Sequence, residues 1–81
     1  MQEPADDLPA LPAAKPGCYR HYKGLYYQVL GVVRHSETLE PLVLYRPLYG
    51  ARGDWVRPCA MFFEDVVVDG IRRPRFERIG D

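Results

Sequence analysis

Leu25-Tyr26-Tyr27-Gln28-Val29-Leu30-Gly31-Val32-Val33-Arg34-His35 is the stretch on which the architecture turns. Its β-branched and aromatic residues are strand formers, yet the run lacks clean alternation because both faces carry apolar side chains. A strand of this length with Gly31 near its middle predicts a bend or bulge, the device by which a small barrel wraps one strand around two sides of its core.

Working outward, residues 18–22 are short and aromatic-rich, and the Lys23-Gly24 step supplies a tight turn, so this segment and the long strand form a hairpin. Downstream, residues 36–40 are polar and read as a loop or single helical turn with Ser36 as a cap. A third strand over residues 42–46 follows Pro41, and Pro47 limits its ladder because proline has no amide hydrogen to donate. Residues 50–54 have the composition of a hairpin tip leading into a strand at Trp55–Arg57, which Pro58 closes. Residues 59–64 begin directly after that proline and predict one or two helical turns plugging the open end of a barrel. The β-branched run at 65–68 ends in Asp69-Gly70, the strongest hairpin signal in the chain, with residues 71–79 as the return strand. The expectation is an all-β barrel or roll of five to six strands with one short helical turn, spanning residues 17–81.

Residues 1–16 hold Pro, Ala and acidic side chains with isolated leucines and no period, which predicts a disordered tail; an ordered arm resting on the domain through Leu8 and Leu11 is the alternative. No apolar run approaches the ~20 residues that span a bilayer, and the first ten residues are acidic and proline-interrupted where a signal peptide is basic and then apolar. A cytoplasmic protein without a membrane partner is expected. Cys18 and Cys59 stand far apart with no Cys-x-x-Cys spacing, so two partly buried thiols are expected, with a disulfide between them as the alternative. The formal net charge of zero argues against a whole-surface polyanion binder, but the acidic tail conceals a slightly basic domain in which Arg72, Arg73, Arg75 and Arg78 crowd the C-terminal segment.

The run from Gly17 to Phe76 resembles DUF1653, a family of short bacterial domains of unknown function. The resemblance rests on Gly17-Cys18-Tyr19-Arg20-His21-Tyr22-Lys23-Gly24, Arg34-His35-Ser36-Glu37-Thr38-Leu39-Glu40, Val43-Leu44-Tyr45-Arg46, Trp55-Val56-Arg57-Pro58 with Met61-Phe62, and Pro74-Arg75-Phe76. It implies a small β-barrel of the SH3-like group and supplies no reaction, ligand or catalytic residue. Cys59 and Ala60 depart from the family pattern, which usually has a larger apolar residue followed by an acidic one.

Two constellations carry chemistry. In His35-Ser36-Glu37-Thr38-x-Glu40, His35, Glu37 and Glu40 are the catalytic candidates of a small hydrolase; the plainer reading is a solvated loop whose polar side chains bond nearby amides. His21 and His35 with Glu37 or Glu40 are the only conceivable metal set, and with two histidines and no helical spacing neither a metal nor any other cofactor is expected. The second constellation is aromatic and cationic: Tyr19, Tyr22, Tyr26, Tyr27, Tyr45, Tyr49, Trp55 and Phe62 interleave with Arg20, Arg46, Arg57 and Arg75. Six tyrosines exceed what so small a core can bury with every hydroxyl satisfied, so some face water. The expected ligand site is a groove bearing Tyr22, Tyr45, Arg46, Trp55 and Arg57 that holds a nucleotide or single-stranded nucleic acid, or alternatively a proline-containing peptide.

Overall fold

The computed structural model describes residues 10–51 and 53–81. Strand β1 (Gly17–His21) turns into β2 (Tyr26–Arg34) as an antiparallel pair, with Tyr19 opposite Tyr27 and Arg20 opposite Tyr26. The Gly24 amide donates to the His21 carbonyl at 2.7 Å, a turn that Gly24 permits with a φ of +102°. Strand β2 then pairs with β3 (Pro41–Pro47), and the register slips between Val29 and Gly31, the position at which a bulge was expected.

Strand alternation assembles the core. The pairings Tyr19↔Tyr27, Val29↔Tyr45 and Val32↔Val43 set these side chains on one face of the sheet. Strand β4 (Trp55–Pro58) adds Trp55 and Arg57 to that face, opposite Tyr45 and Val43. The sheet's remaining strand, β7 (Phe76–Gly80), adds Phe76 opposite His21. Tyr19, Val29, Val43, Tyr45 and Phe76 are buried there together with Cys59 and Phe62 from the helical turn α1 (Cys59–Phe62). Pro58 at the start of α1 has no amide hydrogen to leave unsatisfied. The Phe62 ring is fully buried and stacks on Phe76 with 4.0 Å between centroids and 1° between planes. A fully buried aromatic of this kind contributes roughly 1.5–3 kcal/mol by transfer from water.

Of the barrel or roll expected, the roll is what forms. The sheet runs β4-β3-β2-β1-β7, so β4 and β7 are its two edges and share no ladder, and the fold is an open roll. Strand β4 is only four residues long before Pro58 diverts the chain into α1. Side chains fill the seam instead: Phe62 enters from α1, and the Arg57 guanidinium carbon lies 5.6 Å from the Phe76 ring centre. The helical turn thus plugs the opening as the sequence implied.

The return strand expected over residues 71–79 splits in two. Strand β5 (Asp65–Val68) pairs with β6 (Ile71–Pro74) in a separate hairpin, while β7 joins the main sheet beside β1. Pro74 cannot donate to a ladder, and at Arg75 the backbone changes partners: its amide donates to the Glu64 carbonyl at 3.0 Å and its carbonyl accepts the Tyr22 amide at 2.9 Å. The split brings the strands to seven rather than five or six. Asp69 and Gly70, at φ of 52° and 77°, make the left-handed two-residue turn their sequence signalled.

Of the tail expected over residues 1–16, residues 1–9, Leu8 among them, lie outside the described residues. Residues 10–16 form no strand or helix, and there the Lys15 carbonyl accepts the Tyr19 hydroxyl at 2.8 Å. Among the described residues no helix is long and apolar enough to cross a membrane.

Candidate ligand-binding site

A cleft of about 360 Å³ opens on the apolar face of the sheet, lined chiefly by Tyr27, Tyr45, Pro47, Tyr49, Trp55 and Arg57. Register builds it: Tyr27 lies opposite Pro47 on β2 and β3, and Tyr45 opposite Trp55 on β3 and β4. Tyr49 enters from the segment after β3 and meets Tyr27 edge to face at 5.6 Å, with the two hydroxyls 2.8 Å apart. Burial, reinforced by that hydrogen bond, pushes the Tyr27 phenol up to about 12, so Tyr27 stays neutral throughout the physiological range. Trp55 is 59% exposed, which leaves much of the indole open to a ligand.

Arg57 is the site's uncompensated charge. Arg46 pairs with Asp54, Arg72 with Asp65, Arg75 with Glu64 and Arg78 with Asp81, but among the described residues no carboxylate lies within 4 Å of Arg57. Its Nε is buried without an acceptor. A buried donor left unmatched costs about 1–3 kcal/mol, and such groups call for an explanation in a native fold.

His21 stands beside this cation, its ring 6.4 Å from Tyr27 and 4.8 Å from Phe76. Burial lowers its pKa, and the nearby charges of Arg57, Arg75 and Lys23 lower it further. Its Nδ1 accepts the Lys23 amide at 3.1 Å, which assigns the neutral ring's proton to Nε2.

Of the five residues expected to share a groove, the structure brings Tyr45, Trp55 and Arg57 together. Arg46 follows Tyr45 directly and so points to the opposite face, where its Nε reaches Asp54 Oδ1 at 2.7 Å and holds that carboxyl below its usual range. Tyr22 lies beyond His21, in a second cleft of about 260 Å³ with Arg20, Arg73 and Glu77. Sequence marks Pro47 only as a strand terminator, and Tyr27 and Tyr49 only as members of the aromatic set. Their convergence depends on the register of β2 against β3 and on a loop path, neither of which local sequence specifies.

In the polar loop, His35 Nδ1 accepts the amides of Glu37 at 3.0 Å and Thr38 at 3.2 Å, so His35, rather than Ser36, caps the turn. Glu37 contributes its amide to that cap, and the Glu40 amide reaches the Thr38 hydroxyl at 3.3 Å. No three of His, Cys, Asp and Glu converge as a metal site among the described residues. Both cysteines are free thiols, Cys18 half-buried and Cys59 buried, and burial pushes the Cys59 thiol up.

Residues 17–78 match the profile of the family described as protein of unknown function (DUF1653). The chain belongs to the DUF1653 family. A DUF1653 protein of Bordetella bronchiseptica, solved by crystallography, has the same fold with a TM-score of 0.77 at 39% sequence identity, over 83% of this chain and 88% of that one. No curated protein matches the chain. This DUF1653 domain therefore has a shared fold, while its cleft must be read from its own side chains.

Proposed function

We propose that this domain is a small binding module whose cleft takes a planar, anionic ligand, a nucleotide or a segment of single-stranded nucleic acid. The observation that carries the reading is Arg57: an arginine on the wall of an aromatic cleft with neither a carboxylate partner nor an acceptor for its buried Nε. A phosphate supplies the missing countercharge, and the open face of Trp55 supplies a surface on which a base stacks. Three tyrosines and a tryptophan are also the material of an aromatic cage for a quaternary ammonium, but Arg57 in the same wall repels a cation. The free thiols fit a cytoplasmic setting, which belongs to the same proposal.

A second reading has its own support. Tyr27, Tyr45, Pro47, Tyr49 and Trp55 form the kind of apolar wall that a proline-containing peptide packs against. Salt separates the two, since phosphate contacts weaken steeply with ionic strength and an apolar groove responds little. The hydrolase reading of His35, Glu37 and Glu40 has less in its favour, because His35 Nδ1 is already occupied by backbone amides.

The test is calorimetric titration with nucleoside monophosphates at low and moderate salt. Binding is expected to fall about ten- to a hundredfold on Arg57→Ala, the worth of a charge-assisted hydrogen bond. Trp55→Ala is expected to lose about 1–3 kcal/mol, the worth of one stacked base. Undetectable binding at low salt, or binding indifferent to both substitutions, overturns the proposal.

A further inference from the structure

Arg57 calls for an anion, and the chain carries carboxylates of its own close by in sequence space. Ahead of Ala10 it reads Met1-Gln2-Glu3-Pro4-Ala5-Asp6-Asp7-Leu8-Pro9, with three carboxylates and no Lys, Arg or His. The whole chain balances 11 Lys and Arg against 11 Asp and Glu, so those three carboxylates answer an equal surplus of positive charge in the rest of it. The cleft combines the rings of Tyr27, Tyr45, Tyr49 and Trp55 with a guanidinium that has no carboxylate within 4 Å among the described residues. A segment in which Asp6 and Asp7 are bracketed by Pro4, Leu8 and Pro9 matches both halves of that lining. Proline and leucine pack on aromatic walls, and a carboxylate takes the guanidinium fork.

The chain enters the fold on the cleft's own face of the sheet. Tyr19 and Tyr27 are cross-strand neighbours that share this face, and Tyr27 is a wall of the cleft. The Tyr19 hydroxyl donates to the Lys15 carbonyl at 2.8 Å, and Arg78, opposite Tyr19 on β7, donates from Nε to the Pro16 carbonyl at 3.2 Å. These two bonds hold residues 15 and 16 against that face. In the sheet order β4 stands three strands from β1, which is about 15 Å at the usual spacing of about 4.8 Å. Asp7 and Asp6 precede Lys15 by eight and nine residues, roughly 25–28 Å of extended proline-rich chain at about 3.1 Å per residue. Their carboxylates therefore reach Arg57 with length to spare. None of residues 10–16 lines the cleft, and they serve as the connector.

We propose that residues 3–9 dock in the aromatic cleft of their own molecule, with the carboxylates of Asp6 and Asp7 on Arg57 and with Pro4, Leu8 and Pro9 against the rings, so that the N-terminal segment competes with any anionic ligand of the cleft. The contact stands without the nucleotide reading; only the competition rests on it. Tethering sets the local concentration of the segment at about the millimolar level whatever the concentration of the protein, so a contact of modest strength keeps the cleft largely filled. An ionic contact at an open cleft is screened by salt, which makes low ionic strength the condition in which the segment holds the cleft most firmly.

The experiment is nuclear magnetic resonance of the full chain at low salt, without ligand. Asp6→Asn with Asp7→Asn is compared with Asp69→Asn with Glu77→Gln, which removes the same charge from exposed positions on the β5–β6 turn and on β7. The first pair should shift the Arg57 Nε–H and the Trp55 indole N–H, and the second should leave both in place. Arg57→Ala should in return move the backbone amides of Asp6 and Asp7, and none of these shifts should depend on protein concentration. In titrations with a nucleoside monophosphate the first pair should raise the affinity about three- to tenfold, the factor by which a mostly occupied cleft lowers it, and the second should not. Arg57 and Trp55 signals indifferent to Asp6 and Asp7, equal shifts from both pairs, or shifts that grow with protein concentration overturn the contact. Nucleotide affinity unchanged by the first pair overturns the competition. Failure of the nucleoside monophosphate to bind at all overturns the proposed function alone, because the ligand-free signals read the segment by themselves.

Discussion

Phe62→Ala should come close to unfolding this domain. The ring is fully buried, stacked on Phe76 at 4.0 Å, edge-on to Tyr19 at 5.7 Å and tilted against Tyr45 at 5.8 Å. It fills the seam that hydrogen bonds between β4 and β7 would seal in a closed barrel, so its truncation leaves a cavity lined by Phe76, Tyr19 and Tyr45. Truncation of a buried phenylalanine costs about 3–5 kcal/mol. A domain of roughly 65 residues, at about 0.05–0.15 kcal/mol per residue, is stable by only about 3–10 kcal/mol. The control is the next residue: Phe63 belongs to the same turn and touches Phe62 at 5.0 Å, but it is 43% exposed, and Phe63→Ala should cost under about 1 kcal/mol. Urea unfolding followed by Trp55 fluorescence and far-ultraviolet circular dichroism reads both. With a slope of about 1 kcal/mol per molar, Phe62→Ala should move the midpoint down by roughly 3 M or more. Should that variant prove unfolded in buffer, Phe62→Leu should fold with a loss of roughly 1–2 kcal/mol. A Phe62→Ala midpoint close to wild type, or equal losses at Phe62 and Phe63, would refute the idea that the helical turn does the work of barrel closure.

Three further outcomes are expected. The folded state prefers neutral His21, whose pKa is lowered first by burial, so its contribution to stability is complete above the unfolded value of 6.5 and is lost as pH falls through that value toward the folded one; His21→Gln should flatten the urea midpoint between about pH 7.5 and about pH 5.5, and an unchanged slope counts against the assignment. Tyr27, raised from 10.0 to about 12, stabilises the fold below pH 10.0 and ceases to do so as pH climbs toward about 12; a spectrophotometric titration should show one tyrosine ionising late, and Tyr49→Phe should bring it earlier. Gly17 takes a φ of +143° where β1 meets β7, and a β-carbon there would strike the Gly80 carbonyl, so Gly17→Ala should destabilise by more than about 1 kcal/mol and expose the β1–β7 amides to hydrogen exchange.

The fold was legible wherever chemistry is local. Lys23-Gly24 and Asp69-Gly70 mark their turns because few residues other than glycine tolerate the left-handed backbone, and Gly31 marks the bulge for a related reason. Pro58 announces the helical turn. Closure was not legible, since it depends on whether two edges distant in sequence come within ladder distance, and the four-residue β4 does not reach β7. Nor was the break at Arg75, where neighbouring Ile71–Pro74 and Phe76–Gly80 serve different sheets because Glu64 and Tyr22 capture the backbone between them. The lining of the candidate cleft was half legible. Composition pointed to tyrosine, tryptophan and arginine as a surface set, and Trp55 with Arg57, two apart on a strand, necessarily share a face. Arg46, one position from Tyr45, is excluded by the same rule once Tyr45 is known to point inward.

The most direct measurement is the nuclear magnetic resonance signal of the Arg57 Nε–H, followed with the Trp55 indole N–H as a nucleoside monophosphate is added at low salt. An ion pair formed at this guanidinium should shift both signals together, in a saturable way that salt reverses, while the His35 turn stays still. If these two signals stay in place at saturating ligand, or move only with residues remote from the cleft, Arg57 is not the anion's partner and the proposed function is wrong.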